Sequence, residues 1–311
     1  MKESIDELAE KITKQYLCAC CHEAVEGKVS EAIINRISKK GEDEERKRKH
    51  DEFFDTLFKA TAPHERKFRA MLKTVWDEER KIVLANLKKL KKEWLAKDAD
   101  DIAESVLYPK ARFVGKLSEE AKKIAIMAMA EKGQIELDRL NIDAVFNQEV
   151  AHIVDWLSSY FPKFAKEFEA ASVDELKKAL IEGIKEGETI LDLTARVQEV
   201  FDDWTRERAY MVARTETIRA SNRGSLEAYR QSGVVEKLIW ISYLDERCCS
   251  WCEDMDGTIV GIDEGFFDLG DEYTIADEKG KDRTMHLDYE AVETPPLHPD
   301  CRCSLGPYLE E

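Results

Sequence analysis

Apolar residues recur at intervals of three and four through most of the chain before residue 232, the period of amphipathic helices. Ile5, Leu8, Ile12 and Tyr16 form one such stripe, and Phe53, Phe54, Leu57 and Phe58 a second. A third runs from Phe68, Leu72, Val75 and Trp76 to Val83, Leu87, Leu90 and Trp94, and Pro63 suits its first turn. Ser118 with Glu119 and Glu120 has the chemistry of a helix start. The stripe over Val145–Phe161 is expected to stop before Pro162. Ser172 and Glu175 make a capping-box pattern that opens a helix through Leu176, Leu180 and Ile184. Gly187 ends that helix, Thr189–Phe201 forms a shorter one, and an arginine-rich helix over Thr205–Gln231 is closed by Gly233.

The pattern then changes period. Lys237–Leu244 is β-branched and aromatic with no breaker, which predicts a strand. Asp256-Gly257 turns into Thr258–Val260, a partner strand. Gly261–Glu293 is acidic and contains glycines, and reads as a long loop with small strands. These elements predict an α+β fold dominated by helices. Residues 1–170 form a helical N-terminal region, and residues 171–311 a smaller helix-strand module. No internal repeat stands out.

Composition sharpens this. Only seven prolines occur in 311 residues, and the first 160 residues hold just Pro63 and Pro109, so long helices are permitted there. The net charge of −17 is uneven. Asp245–Glu311 carries 19 acidic and 5 basic residues, a net −14, which leaves −3 for the rest. Such an acidic module does not grip nucleic acid through its bulk surface and suits a basic protein partner. The longest uncharged apolar run, Ile124–Ala130, is too short to span a bilayer. No charged-then-apolar leader opens the chain, so the expectation is a protein kept in the cytosol, with thiols reduced rather than paired in disulfides.

Reduced thiols give weight to two short clusters. Cys249-Ser-Trp-Cys252 is followed, after 45 residues, by His298-Pro-Asp-Cys301-Arg-Cys303. A Cys-x-x-Cys turn places two thiolates within reach of one tetrahedral zinc at about 2.3 Å. The second cluster, stiffened by Pro295, Pro296 and Pro299, offers three donors for the remaining two positions. The first choice is Cys249, Cys252, His298 and Cys301, with Cys303 standing in for His298 or Cys301. Four protein ligands leave no open position, which makes the metal structural. The competing reading is reduced cysteines packed as small apolar residues. A small sheet with an acidic loop buries little apolar area, whereas a structural zinc supplies on the order of 10 kcal/mol.

A longer phrase surrounds these clusters: Ala213-Arg-Thr-Glu216, Ala220-Ser-Asn222, Gly224, Gly233, Trp240, Asp245-Glu-Arg247, the Cys-x-x-Cys, Asp256-Gly257, Pro295-Pro296, His298-Pro299 and Cys301-Arg302-Cys303. In order and spacing it resembles the phage Mu protein F-like family, the minor head or head-morphogenesis proteins of tailed phages. The resemblance covers roughly residues 172–307. It implies a virion protein present in few copies inside the capsid near the portal vertex, and in the host cytoplasm during assembly. Implied partners are the portal protein, inner capsid or scaffold proteins and packaged double-stranded DNA without sequence reading, with no membrane. The implied roles are head assembly and packaging or delivery of DNA, and no settled enzymatic activity is implied. Cys248 departs from the family, which more often has a small polar residue there, and adds a competing thiolate.

Other candidates are weighed against plainer readings. Arg214 and Glu216, on the arginine-rich helix with Arg219 and Arg223, are expected to anchor the module by pairing with Asp245 and Glu246. Arg80, Lys81, Lys88, Lys89, Lys91 and Lys92, with Lys97 beside Trp94, form the best electrostatic site for DNA. Alternatively, Leu87, Leu90 and Trp94 face a core while the lysines are solvated. Cys18, Cys20, Cys21 and His22 suit helix packing better than a second metal site. His50, His64, His152 and His286 stand apart in sequence. No nucleotide-binding glycine loop, nucleophile elbow or His-Glu-x-x-His occurs. The expectation is therefore a protein that is not an enzyme. The alternatives are a zinc-containing nuclease, with His298 or His286 as base and Asp256 holding a second metal, and an ADP-ribosyltransferase-like toxin using Arg214 and Glu216.

Overall fold

Long helices dominate, since few prolines or glycines interrupt the apolar stripes. A computed structural model describes residues 40–90, 98–276 and 280–309. Six helices come first: α1 (Lys40–Leu87), α2 (Ala99–Val106), α3 (Val114–Arg139), α4 (Ala151–Lys185), α5 (Ile190–Asp203) and α6 (Ala209–Ser232). A π-helical turn, Trp204–Arg208, joins α5 to α6. Strand β1 (Lys237–Ile241), the short helix α7 (Ser250–Met255), and strands β2 (Ile259–Gly261), β3 (Glu272–Ala276), β4 (Asp282–His286) and β5 (Ser304–Tyr308) follow. The fold is mainly helical α+β, as the periodicities predict. The stripe over Ile5–Tyr16 and the Cys18, Cys20, Cys21 and His22 group lie outside the described residues, as do Lys91, Lys92, Trp94 and Lys97.

Two compact units are built from interleaved segments. One comprises Met1–Pro63, Ile126–Gln148 and Arg214–Glu311; the other comprises His64–Ala125 and Glu149–Ala213. A division at residues 170 and 171 follows motif content, whereas these units follow packing.

Several boundaries differ from the sequence expectations. Pro63 lies inside α1 and Pro162 inside α4 rather than at helix ends. Helix α3 starts at Val114, so Ser118 is a buried interior residue. Ser172 does not cap a new helix. It is fully buried within α4, and its hydroxyl donates to the Phe168 carbonyl at 2.8 Å. The reason is burial: Phe161, Ala165, Phe168, Val173, Leu176 and Leu180 form one continuous buried face across both supposed breaks. An interior proline costs roughly 3 kcal/mol, which packing on either side outweighs. Local capping chemistry acts only where tertiary contacts leave the backbone free. It does act at Thr189, whose side chain and Asp192 complete a reciprocal capping box at the start of α5.

The first unit centres on the antiparallel sheet β2-β1-β5. Lys237 faces Gly261 on one side and Tyr308 on the other, and Ile241 faces Ser304. The unbroken apolar run of β1 reflects burial on both faces. Leu238 and Leu305 pack with Leu140, Leu226 and Tyr229. Ile239, Ile241 and Tyr308 pack with Phe54, Leu57 and Ile218. β1 stops at Ile241 rather than Leu244, because the next amide, of Ser242, donates to Asp256 Oδ1 at 2.7 Å. β5 carries Gly306 and Pro307, which conceal it in sequence. A Cβ at Gly306 would lie 2.7 Å from Ile241 Cδ1, so the glycine gives β1 room, and Pro307 is tolerated at an edge strand. Within Gly261–Glu293, β3 and β4 pair as an antiparallel hairpin.

Helices α3 and α6 cross closely at Gly224, where a Cβ would sit 2.4 Å from the Met129 carbonyl oxygen. Backbone cannot yield as a side-chain tip can. Gly224→Ala should lower stability by about 1–3 kcal/mol, whereas Gly115→Ala, in open space on α3, should be neutral or stabilise by up to about 1 kcal/mol. Urea denaturation of the two variants checks the contrast.

Candidate metal centre

Two turns, made separately, bring the soft ligands together. Cys249 is the N-cap of α7, and its Sγ accepts from the Cys252 amide at 3.4 Å. The Cys-x-x-Cys thus forms the first turn of a short helix, with both sulfurs on one side. In the second turn the Cys301 amide donates to the His298 carbonyl at 3.2 Å. Asp300 has φ +60, a left-handed conformation that aspartate tolerates better than most residues. Its amide donates to Thr215 Oγ1 at 2.9 Å and its carboxylate accepts from Arg214 at 2.8 Å, so α6 holds the turn from outside.

The ligand atoms meet. His298 Nε2 lies 3.1 Å from Cys249 Sγ and 3.2 Å from Cys252 Sγ, and Cys252 Sγ lies 3.7 Å from Cys301 Sγ. A tetrahedral zinc with bonds near 2.3 and 2.0 Å requires separations of about 3.8 Å between sulfurs and about 3.6 Å between sulfur and nitrogen. These three spacings come within half an ångström of that requirement, and the cluster can hold a metal ion. Cys249, Cys252 and His298 make one group of donors and Cys252, Cys301 and Cys303 another, with Cys252 common to both. His298 Nδ1 donates to the Pro299 carbonyl at 2.7 Å, which leaves the Nε2 lone pair for the ligand position. Cys303 Sγ donates to Ser242 Oγ at 3.4 Å.

Crowding of the sulfurs polarises them. A hydrogen bond from Cys252 holds the Cys249 thiol down to about 4, helped by His298. Cys252, as donor to Cys249 and Cys301, is pushed up, and Cys301 is pulled well below the thiol range by Cys252 and Cys303. Burial disfavours the His298 cation, yet contact with Cys249 and Cys301 raises it to about 9. Burial, followed by the Cys249 charge, pushes Cys248 up to about 12. Its sulfur lies 3.7 Å from the Cys249 carbonyl oxygen, at the edge of the same pocket.

A buried polar lattice fixes this geometry. Asn222, fully buried on α6, donates to the carbonyls of Pro295 and Cys303, both at 3.1 Å. Its oxygen accepts from Ser304 Oγ and from the Leu305 amide, both at 3.2 Å. Arg219 pairs with Glu290 and Arg223 with Glu293. Arg302 forms a two-pronged pair with Asp245, whose carboxyl it holds down to about 2. Ser242 Oγ donates to the Cys252 carbonyl at 2.5 Å. The inner side is apolar, with Trp240, Met255, Leu287, Val292 and Leu297 packed around Cys252, Cys301 and Cys303.

The folded chain settles several pairings differently from the sequence expectations. Arg214 bonds Asp300, not Asp245 or Glu246, because Asp245 is taken by Arg302. Glu216 is buried beside Arg219 at 3.6 Å on the same helix. Asp256 accepts the Ser242 amide, and His286 is exposed and paired with Glu272 at 3.1 Å on the β3–β4 hairpin. Among the described residues, groups with ligand spacing contain no carboxylate. His50 is not isolated: its Nε2 lies 2.9 Å from the Ser242 carbonyl and its ring stacks on Tyr243. In the second unit Arg80 pairs with Asp202 at 3.0 Å, Lys81, Lys88 and Lys89 are exposed, and α1 ends at Leu87. Leu87 and Leu90 are buried, as the solvated-lysine reading expects.

Comparison with known proteins places the same stretch. Residues 174–306 match the family described as Phage Mu protein F like protein. The C-terminal segment is thus similar to phage Mu protein F-like proteins over a stretch that is less than half of the chain. Both ligand turns, Asn222 and the sheet β2-β1-β5 through Gly306 fall inside it. A Bacillus subtilis (strain 168) protein described as uncharacterized, YqbB, is 22% identical over 184 residues, covering 56% of this chain and 60% of that protein. The chain thus spans less than two thirds of that relative's length. No solved structure matches significantly. Among the described residues, no helix is long and apolar enough to cross a membrane.

Asn222 was legible only as a letter in a motif; its role needed the distant segment it bonds. Asn222→Ala leaves two buried carbonyls and a buried amide without partners, at about 1–3 kcal/mol each. We expect it to destabilise the protein by about 3 kcal/mol or more, while Arg214→Ala, at a half-exposed pair, costs under about 1 kcal/mol. Equal effects in urea melts would contradict this ranking.

Proposed function

We propose that this protein is a minor head protein of a tailed bacteriophage or prophage, acting in head morphogenesis, and that its Mu F-like module is pinned by one structural zinc. The observation that carries this reading is the coincidence of the family match with a five-donor Cys and His cluster at its centre. The ligands we assign are Cys249, Cys252, His298 and Cys301. Cys303 is the inner thiol that donates to Ser242 and the substitute for His298 or Cys301. When bound, zinc supplies a cross-link and neutralises the thiolates; four protein donors leave it no position for substrate. The role is accordingly one of assembly rather than catalysis.

The acidic module suits a basic protein surface, and we place the portal and inner shell as its partners inside the capsid. Contact with packaged DNA falls to the lysine-rich stretch through Lys81, Lys88 and Lys89 and rests on charge alone.

Elemental analysis of the purified protein should find one zinc per chain. Cys252→Ser should abolish binding, Cys303→Ser should retain it, and chelation should lower protection of Asp245–Leu309 in hydrogen exchange. Pull-down from induced lysates should recover a ring-shaped portal oligomer. A metal-free protein with intact folding would remove the zinc pin, and absence from purified particles would remove the head-protein role.

A further inference from the structure

The unit formed by His64–Ala125 and Glu149–Ala213 holds a cluster of titratable groups with no part in the metal centre. Glu79 on α1 and Glu169 on α4 are each 1% exposed, and Tyr108, from the segment after α2, is 4% exposed. Glu79 Oε2, Glu169 Oε1 and the Tyr108 hydroxyl are buried without a hydrogen-bond partner of good geometry. Among the described residues, no salt bridge reaches either carboxylate. Arg208, in the π-helical turn, pairs with Glu175 at 3.4 Å and lies over the rings of Phe168 and Trp204. The Phe113 backbone faces Glu169. Four segments therefore converge on two carboxyl groups removed from water and left without a counter-ion.

Two adjacent carboxylates in a low-dielectric interior cannot both stay ionised. A retained proton removes one charge and adds a donor to those of Tyr108 and the Phe113 backbone. We propose that Glu79 and Glu169 hold at least one proton at neutral pH, and that this proton latches α1, residues 107–113, α4 and the π-helical turn together. Every charged group facing the pair is consistent with this. Burial, then the charge of Glu169, raises Glu79 to about 8; burial raises Glu169 to about 7. Tyr108 stays a neutral phenol, raised first by its burial and then by Glu79. Arg208, lowered by burial, is engaged by Glu175 and contributes least to Glu79. Since both acids titrate above their unfolded values, the latch is fully present below the ordinary carboxylate range. It weakens as pH rises through about 7 to 8.

Infrared spectroscopy of the full-length protein tests this directly. At pH 7 ordinary carboxyls are ionised, so a protonated-carboxyl band should appear, fade between pH 7 and 9, and be absent from the double variant Glu79→Gln/Glu169→Gln. Hydrogen exchange should show protection of residues 100–113 and 160–176 falling by up to about tenfold per pH unit per proton in this window. The glutamine variants, permanently neutral at one site, should lose most of that dependence, and Glu175→Gln should keep the band. Absence of the band in wild type at pH 7, or an unchanged exchange profile in the glutamine variants, would overturn the proposal. The wild-type spectrum decides even if a variant fails to fold.

Discussion

One buried carboxamide holds the module in register. Asn222 on α6 bonds the backbone at Pro295, Cys303 and Leu305, and the side chain of Ser304. These bonds seat the returning chain so that β5 can pair with β1, which sets Cys301 and Cys303 beside Cys252. Its four hydrogen bonds lie out of water, where each lost partner would leave a stranded polar group. The arginine pairs to Glu290 and Glu293 repeat the same attachment along the helix, nearer to solvent.

The ligand cluster is the product of that seating and of two self-contained turns. Each turn pre-forms half of the coordination sphere: Cys249 caps its own helix, and Asp300 reverses the chain between His298 and Cys301. A metal then has only to join two halves already close. Its inner face is apolar and its outer face is charged, so the cluster works as part of the core as well as a site. Cys249 and Cys301 are lowered and Cys252 raised by their mutual contacts, and binding of a cation would release the thiol protons.

The functional reading follows from placement. The side chains whose types suggest chemistry, Arg214, Glu216 and Asp256, are committed to Asp300, Arg219 and the Ser242 backbone. These polar residues fix segments against each other. In the other unit, Glu79 and Glu169 are the exception, buried with no salt bridge to either among the described residues.

Much of this was legible from sequence because the physics involved is local. Helical periodicity, the helix stops at Gly187 and Gly233 and the donor spacing each depend on neighbours within a few residues. Tertiary structure alone decided where Pro63, Pro162 and Ser172 fall, because burial of a continuous face overrode local breaking signals. It alone revealed β5, whose glycine and proline read as loop until Ile241 needs the space above Gly306. Partner choice was likewise invisible: Arg214 meets Asp300 because Arg302 occupies Asp245, a competition between residues that the chain brings together only on folding. Sequence determines which groups are capable of bonding over short range, while long-range packing determines which capable groups meet.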